Sequence, residues 1–171
     1  FGAAPLLNFG LTASLSFKGW DFYMLWQGAA MSNVFYNEIL RHPLHSGYDN
    51  TLERFLDRWR PADPTAEPFD QKTEFIPGKY PMPGGSDPGR ESEFAVYNNR
   101  YIRLKNVELG YTFPVSIAKW VGIRSARVAV GGYNLLTFSP VSFVDPEHPE
   151  DQGGYMYPLN KTYNISLSCK F

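Results

Sequence analysis

The final ten residues, Thr162-Tyr163-Asn164-Ile165-Ser166-Leu167-Ser168-Cys169-Lys170-Phe171, alternate polar and apolar without a break. Tyr163, Ile165, Leu167, Cys169 and Phe171 share one face; Thr162, Asn164, Ser166, Ser168 and Lys170 share the other. Successive side chains of a strand point to opposite faces, so the segment predicts a strand with one apolar and one polar wall. Its length is what a tilted strand needs to cross the hydrocarbon of a bilayer. The expectation is the closing strand of an outer-membrane barrel.

Four earlier segments carry the same signal. Leu7, Phe9, Leu11, Ala13, Leu15 and Phe17 alternate with Asn8, Gly10, Thr12, Ser14 and Ser16. Lys18-Gly19 then predicts a tight turn. From Trp20 to about Ala30, the apolar positions Trp20, Phe22, Met24 and Trp26 oppose Asp21, Tyr23 and Gln27, with Leu25 interrupting the polar side. A third strand is expected over about Phe94 to Phe113, where Val107, Leu109, Tyr111 and Phe113 oppose Asn106, Glu108, Gly110 and Thr112. Pro114 ends it, and residues 115–121 predict a short helical turn. A fourth, over about Ala126 to Phe138, sets Val128 and Val130 against Arg127, Ala129 and Gly131.

The connections sort by length. Lys18-Gly19 and 114–125 are short; 31–93 and 139–159 are long and rich in Pro and Gly. Within the first long connection, Leu52, Phe55, Leu56 and Trp59 recur at helical spacing, which predicts a helix near 49–59 capped by Asp49 or Asn50 and stopped by Pro61. Long loops on one side and short turns on the other are the habit of outer-membrane barrels. The alternation of loop lengths predicts that the C-terminus lies on the periplasmic side. The fold class expected is all-β: five antiparallel C-terminal strands of a large transmembrane β-barrel, with long external loops and one short loop helix.

Composition fits this picture. Aromatics make up 16% of the 171 residues and charged residues only 19%, below the usual quarter. Mean hydropathy is -0.32, as expected when half of each strand faces water. A net charge of -1 gives no reason to expect nucleic acid. The single cysteine, Cys169, excludes an internal disulfide. Beginning at Phe1-Gly2-Ala3, with no start signal, the chain reads as a piece of something longer.

Several segments resemble one family in order along the chain. Tyr101-Ile102-Arg103-Leu104-Lys105-Asn106-Val107-Glu108-Leu109-Gly110-Tyr111-Thr112-Phe113-Pro114 resembles the "YLRLKNVxLGYTFP" strand of SusC/RagA-type TonB-dependent outer-membrane transporters. Phe17-Lys18-Gly19-Trp20-Asp21-Phe22 resembles their "YKGFDF" hairpin, Asp57-Arg58-Trp59-Arg60-Pro61 their "DRWTP", and Asn134-Leu135-Leu136-Thr137-Phe138 their "NLLTF". Val144-Asp145-Pro146-Glu147 is similar to "GxDPE", with Val144 in place of a smaller residue, and Tyr157 to Phe171 is similar to "YPxPRTYTLGLNVTF", with Asn160-Lys161 in place of Pro-Arg.

The resemblance implies that residues 1–171 are the C-terminal segment of a plugged barrel whose plug and earlier strands lie elsewhere. It implies import of glycans or peptides energised by a TonB complex through that missing N-terminal part, with a SusD-like surface lipoprotein as lid. The alternating terminal strand (Tyr163, Ile165, Leu167, Cys169, Phe171) reads as the segment recognised by the barrel-assembly machinery, with the lipid bilayer against that face, or as simply the last strand of a sheet. The family motif strand contributes Tyr101, Arg103, Leu104, Lys105, Asn106, Leu109, Gly110 and Tyr111.

No catalytic, cofactor or metal site is expected. The chain has no phosphate-binding Gly-Lys-Ser/Thr loop, no serine nucleophile elbow and no His-Glu-x-x-His. His42 and His45 straddle Pro43 with no third ligand near. The acidic run 145–151 lacks the spacing of a calcium loop and reads as solvated. Cys169 reads as a small hydrophobe rather than a nucleophile. Trp20, Trp26, Tyr111, Phe113 and Tyr163 fit interfacial girdles. Phe69, Phe75, Tyr80 and Tyr97 read as core of the long loop or as surfaces for sugar rings or a lid. The competing reading is a soluble β-sandwich carbohydrate-binding module, which requires a second layer covering Val107, Leu109, Ile165 and Leu167.

Overall fold

The alternating segments form long strands. The computed structural model describes residues 2–36, 40–41, 50–82, 95–120, 122–148 and 153–171. In chain order these form β1 (Leu7–Phe17), β2 (Trp20–Ala30), β3 (Asn33–Phe35), β4 (Arg60–Pro61), β5 (Phe75–Ile76), β6 (Val96–Asn98), β7 (Tyr101–Thr112), α1 (Val115–Trp120), β8 (Ser125–Phe138) and β9 (Thr162–Lys170). The five long strands make one antiparallel sheet in the order β1-β2-β7-β8-β9, while β3-β6 and β4-β5 are two-stranded. His42, His45, Asp49 and Phe94 lie outside the described residues.

The β1–β2 hairpin shows how local chemistry sets register. Phe17 pairs with Trp20, leaving only Lys18 and Gly19 in the loop. Both adopt positive φ, 47° and 88°. Two consecutive left-handed residues make the turn whose twist matches the strands that it joins.

Two irregularities sit side by side in the motif strand. Between β2 and β7, Leu25 pairs with Asn106 and Trp26 with Leu104, which leaves Lys105 as an extra residue. Between β7 and β8, Asn106 pairs with Tyr133 and Leu104 with Leu136, so Asn134 and Leu135 stand opposite Lys105. Asn134 has φ 54°, a conformation that asparagine tolerates better than most residues. Such bulges re-aim side chains. Strict alternation back from Val107 places Lys105, Arg103 and Tyr101 on the apolar face; the bulge turns Ile102 and Leu104 there and Arg103 to the polar face.

The helix expected near 49–59 is, among the described residues, a single 3-10 turn, Glu53–Leu56, with no side-chain cap. The residues after it pair with another segment. The Trp59 N–H donates to the Tyr80 carbonyl at 2.8 Å and the Tyr80 N–H to the Asp57 carbonyl at 3.0 Å. Arg60 and Pro61 then pair with Ile76 and Phe75. Backbone groups committed to these bonds are not available for a second helical turn. The short helix expected after Pro114 is present as α1.

The chain divides into two compact units. One, Phe1–Asn33 with Asn98–Ser142 and Tyr157–Phe171, contains the five-stranded sheet. The other, Val34–Tyr97 with Phe143–Met156, is built from both long connections. Among the described residues, Val34, Tyr36, Leu40, Phe55 and Tyr80 are buried in the second unit, and Ala29, Arg103, Leu104, Ala129 and Val141 in the first. Among the described residues no helix is long and apolar enough to cross a membrane, a fact that does not bear on strands.

Candidate functional site

The sheet presents two chemically opposed faces, and the pairing register aligns them row by row. Phe17, Trp20 and Tyr111 form one row; Leu15, Phe22, Leu109, Val130 and Ile165 form another; Val128 and Leu167 lie beside Tyr111. The sandwich reading places a second layer over this face. Ile165 is instead 81% exposed, Leu167 72%, Leu15 66% and Leu109 41%, with Val107 half-buried. A continuous exposed apolar face of this extent marks an interaction surface. Tyr163, Ile165, Leu167 and Cys169 all lie on it, and Phe171 follows just beyond β9.

Aromatic rings gather toward both ends of the face. Near the β1–β2 turn, Trp20 and Tyr111 have ring centroids 4.7 Å apart, and Tyr111 meets Phe113 edge-on at 5.3 Å. Toward the other end, Trp26 stacks on Phe138 at 6.4 Å.

The opposite face is polar and carries an ion cluster. Asp21, Glu108 and Arg127 come from β2, β7 and β8. The Arg127 guanidinium donates through Nε to Asp21 Oδ1 at 3.1 Å, through a terminal nitrogen to Asp21 Oδ2, and to Glu108 Oε1 at 2.6 Å. Gly110 lies directly between Asp21 and Ala129 in the register. A Cβ at 110 would stand 2.6 Å from an Asp21 carboxylate oxygen and against the guanidinium. The motif glycine is therefore the gap through which Arg127 reaches across β7. The two carboxylates and the arginine remain about one-third exposed, so water has access to the cluster.

The bulge distributes the remaining motif residues. Arg103, on the polar face, is buried at 1% exposure, donates from Nε to Thr137 Oγ1 at 3.0 Å, and lies over the Tyr101 ring at 5.6 Å. Leu104 is buried beside Trp26 and Leu136 in the register, Lys105 occupies the bulge, and Asn106 pairs with Tyr133. Leu109 and Tyr111 belong to the apolar face. The motif thus serves both faces, a division that its sequence alone does not show.

The second unit is organised around a cation. The Arg54 guanidinium carbon lies 3.7 Å from the Phe143 ring centroid, 4.7 Å from Phe55, 5.3 Å from Tyr80 and 5.4 Å from Tyr97. It also donates to the Leu40 carbonyl and, at 3.2 Å, to the Tyr97 hydroxyl. Tyr36 packs 5.7 Å from both Tyr97 and Phe143 and 6.3 Å from His148. Of the loop aromatics singled out in the sequence, Tyr80 and Tyr97 thus fill this core; Phe75 lies 6.5 Å from Trp59, and Phe69 is 85% exposed. In the acidic run, Asp145 accepts from the Glu147 and His148 N–H groups, and 149–152 are outside the described residues. Among the described residues, no group of three or more His, Cys, Asp or Glu side chains is placed to hold a metal ion.

Burial pushes the Tyr36 hydroxyl up to about 12, with nearby Asp145 adding to the shift and Arg54 opposing it. A raised acid pKa favours the neutral form in the folded unit. Its contribution is complete below the ordinary tyrosine value near ~10 and is lost as pH rises from there toward 12. We expect tyrosinate absorbance attributable to Tyr36, read against a Tyr36→Phe variant, to appear only well above pH ~10. Titration at the ordinary value would contradict the packing described.

No protein-family model matches the chain. TonB-dependent receptor P26 of Formosa agariphila (strain DSM 15362 / KCTC 12365 / LMG 23005 / KMM 3901 / M-2Alg 35-1) is 30% identical over 84% of the chain and 13% of the receptor. TonB-dependent receptor P3 of the same organism is 26% identical over 98% of the chain and 16% of the receptor. Among solved structures, the RagAB peptide importer in its open-open state superposes with a TM-score of 0.70 at 24% identity, over 99% of this chain and 17% of that one. The closed-closed state gives 0.71 at 24% identity, over 99% and 18%. These relatives are receptors and importers rather than enzymes, and the chain spans less than a fifth of their length. Sequence identity and fold agree: the chain belongs to the TonB-dependent receptors and spans a minor part of one.

Proposed function

We propose that this chain forms part of the barrel wall of an outer-membrane active importer of large nutrients, glycans or peptides. The apolar face meets lipid and the polar face, with the Asp21–Glu108–Arg127 cluster, lines the lumen. The observation that carries this reading is the exposed apolar face backed by a polar one in register across five strands. From Leu7 to Phe17 the apolar row of β1 runs about 34 Å at ~3.4 Å per residue, or about 26 Å along the bilayer normal at a tilt near ~40°. That matches the apolar band of outer-membrane barrels, about 25 Å tall.

The short connections and Phe171 then belong on the periplasmic side and the long ones outside. A SusD-like surface lipoprotein acts as lid, the TonB complex supplies energy through the N-terminal part, and the barrel-assembly machinery reads Tyr163 through Phe171. Support for the lid comes from the likeness in fold to the RagAB importer. The test is growth of a strain lacking the receptor gene, on oligosaccharides or on oligopeptides as sole nutrient. Loss of growth on one class, restored by the intact gene and not in a strain without TonB, is the expected result. Undiminished growth on both classes would contradict an import role.

A further inference from the structure

The apolar face of β2 runs Trp20, Phe22, Met24, Trp26 and then Gly28 and Ala30, four large side chains followed by two without bulk. Gly28 stands in one row with Phe9, Ile102 and Phe138. The Phe9 ring leans across it: a Cβ at 28 would lie 2.7 Å from Phe9 Cε2 and 2.6 Å from the Tyr101 carbonyl oxygen. Beside this row lies a groove of about 450 Å³ within the sheet unit, whose lining includes Phe9, Ala30, Ile102, Phe138 and Pro140 together with a single charge, Arg100. Arg100 is exposed, its backbone N–H is held by Asn98 Oδ1 at 3.1 Å, and among the described residues its guanidinium has no partner. The segments at this end of the sheet, residues 2–6, 31–32, 98–100, 139–142 and 157–161, contain Arg100 and Lys161 and no carboxylate.

We propose that this groove holds one acyl chain of a phosphate-bearing membrane lipid, with the phosphate on Arg100. An apolar slot on a lipid-facing wall selects a hydrocarbon chain. An exposed guanidinium beside that slot, on sheet segments that carry no carboxylate of their own, selects an anionic headgroup, and a planar fork of N–H donors suits phosphate oxygens. The groove lies at the strand ends opposite the β1–β2 turn, where a bilayer places headgroups. The inference rests on the barrel-wall reading above and adds a specific lipid contact to it.

The test uses the full-length receptor in a neutral detergent and native mass spectrometry. Its probes are phosphatidic acid, diacylglycerol with the same chains, and inorganic phosphate. The receptor retains phosphatidic acid about tenfold more tightly than diacylglycerol, as one charge-assisted contact would give. Arg100→Gln removes that preference, Ala30→Trp weakens both lipids severalfold, and inorganic phosphate displaces neither. Equal retention of both lipids by the unmodified receptor, or wild-type behaviour of both variants, overturns the proposal. Displacement by inorganic phosphate alone also overturns it, because the site would then bind an anion without a chain. A receptor that forms the heat-resistant folded species of a barrel but shows no lipid preference sinks this inference only. One that forms no such species sinks the wall reading with it.

Discussion

Replacing Ile165 and Leu167 together by arginine in the full-length receptor should abolish its assembly in the outer membrane, whereas Ser166→Arg between them should be tolerated. Ile165 pairs with Val130 and Leu167 with Val128, and all four lie on the apolar face. An arginine on the lipid side of a barrel strand costs about 2–4 kcal/mol near the bilayer midplane and less toward the interfaces. Two together approach the 5–15 kcal/mol by which folded proteins are ordinarily stable. Ser166 pairs with Ala129 on the polar face, where a long charged side chain extends into water. The measurement is the amount of heat-modifiable, surface-accessible receptor in membrane fractions. Equal losses for all three positions would point to a general folding defect, and wild-type levels of the double variant would remove lipid from the apolar face.

The second large effect is expected at Arg54. Its guanidinium packs against Phe143, Phe55, Tyr80 and Tyr97, and its Nε is buried without a hydrogen-bond partner, so among the described residues four rings, the Leu40 carbonyl and the Tyr97 hydroxyl hold the charge. Each such contact contributes about 0.5–2 kcal/mol, in a non-additive way. Arg54→Ala also strips the Leu40 carbonyl and the Tyr97 hydroxyl of a donor, at a further ~1–3 kcal/mol for an acceptor left buried. The combined loss of about 3–5 kcal/mol is large for a unit made of loops. We expect limited proteolysis to cut within 50–82 and 143–148 in the variant, with the sheet's heat resistance unchanged. Arg54→Lys should rescue only in part, since an ammonium lacks the plane that stacks between rings. Protection equal to wild type in the alanine variant would show that the rings alone hold this unit.

Much of the sheet was legible in the sequence because strands have a period of two and these strands are long. Leu7 to Phe17 and Thr162 to Lys170 announce themselves by alternation, and Lys18-Gly19 by its turn chemistry. The bulge at Lys105 was not legible, because it is a property of a pair of strands. Counting along β7 alone puts Arg103 on the wrong face. The signal that could have located it is the two adjacent polar residues, Lys105-Asn106, with Asn134 in the facing motif as a residue tolerant of positive φ. The Asp21–Glu108–Arg127 cluster needed that register too, since its members are 19 to 106 residues apart along the chain. The helix expected near 49–59 is a single turn: helical spacing of Leu52, Phe55, Leu56 and Trp59 says nothing of the backbone bonds that Tyr80 makes to Asp57 and Trp59. The aromatic core around Arg54 joins residues from 36 to 148 with no periodicity to betray it.

On the barrel-wall proposal, one face of this sheet meets lipid and the other meets water. A cysteine scan tests it most directly, with single cysteines from 162 to 170 in a Cys169→Ser full-length receptor in bilayers, each carrying a fluorophore and exposed in turn to a quencher on lipid tails and one in water. The prediction is a strict period of two, with 163, 165 and 167 quenched from the lipid and 164, 166 and 168 from water. Uniform quenching from water at all positions, or the inverse pattern, would contradict it.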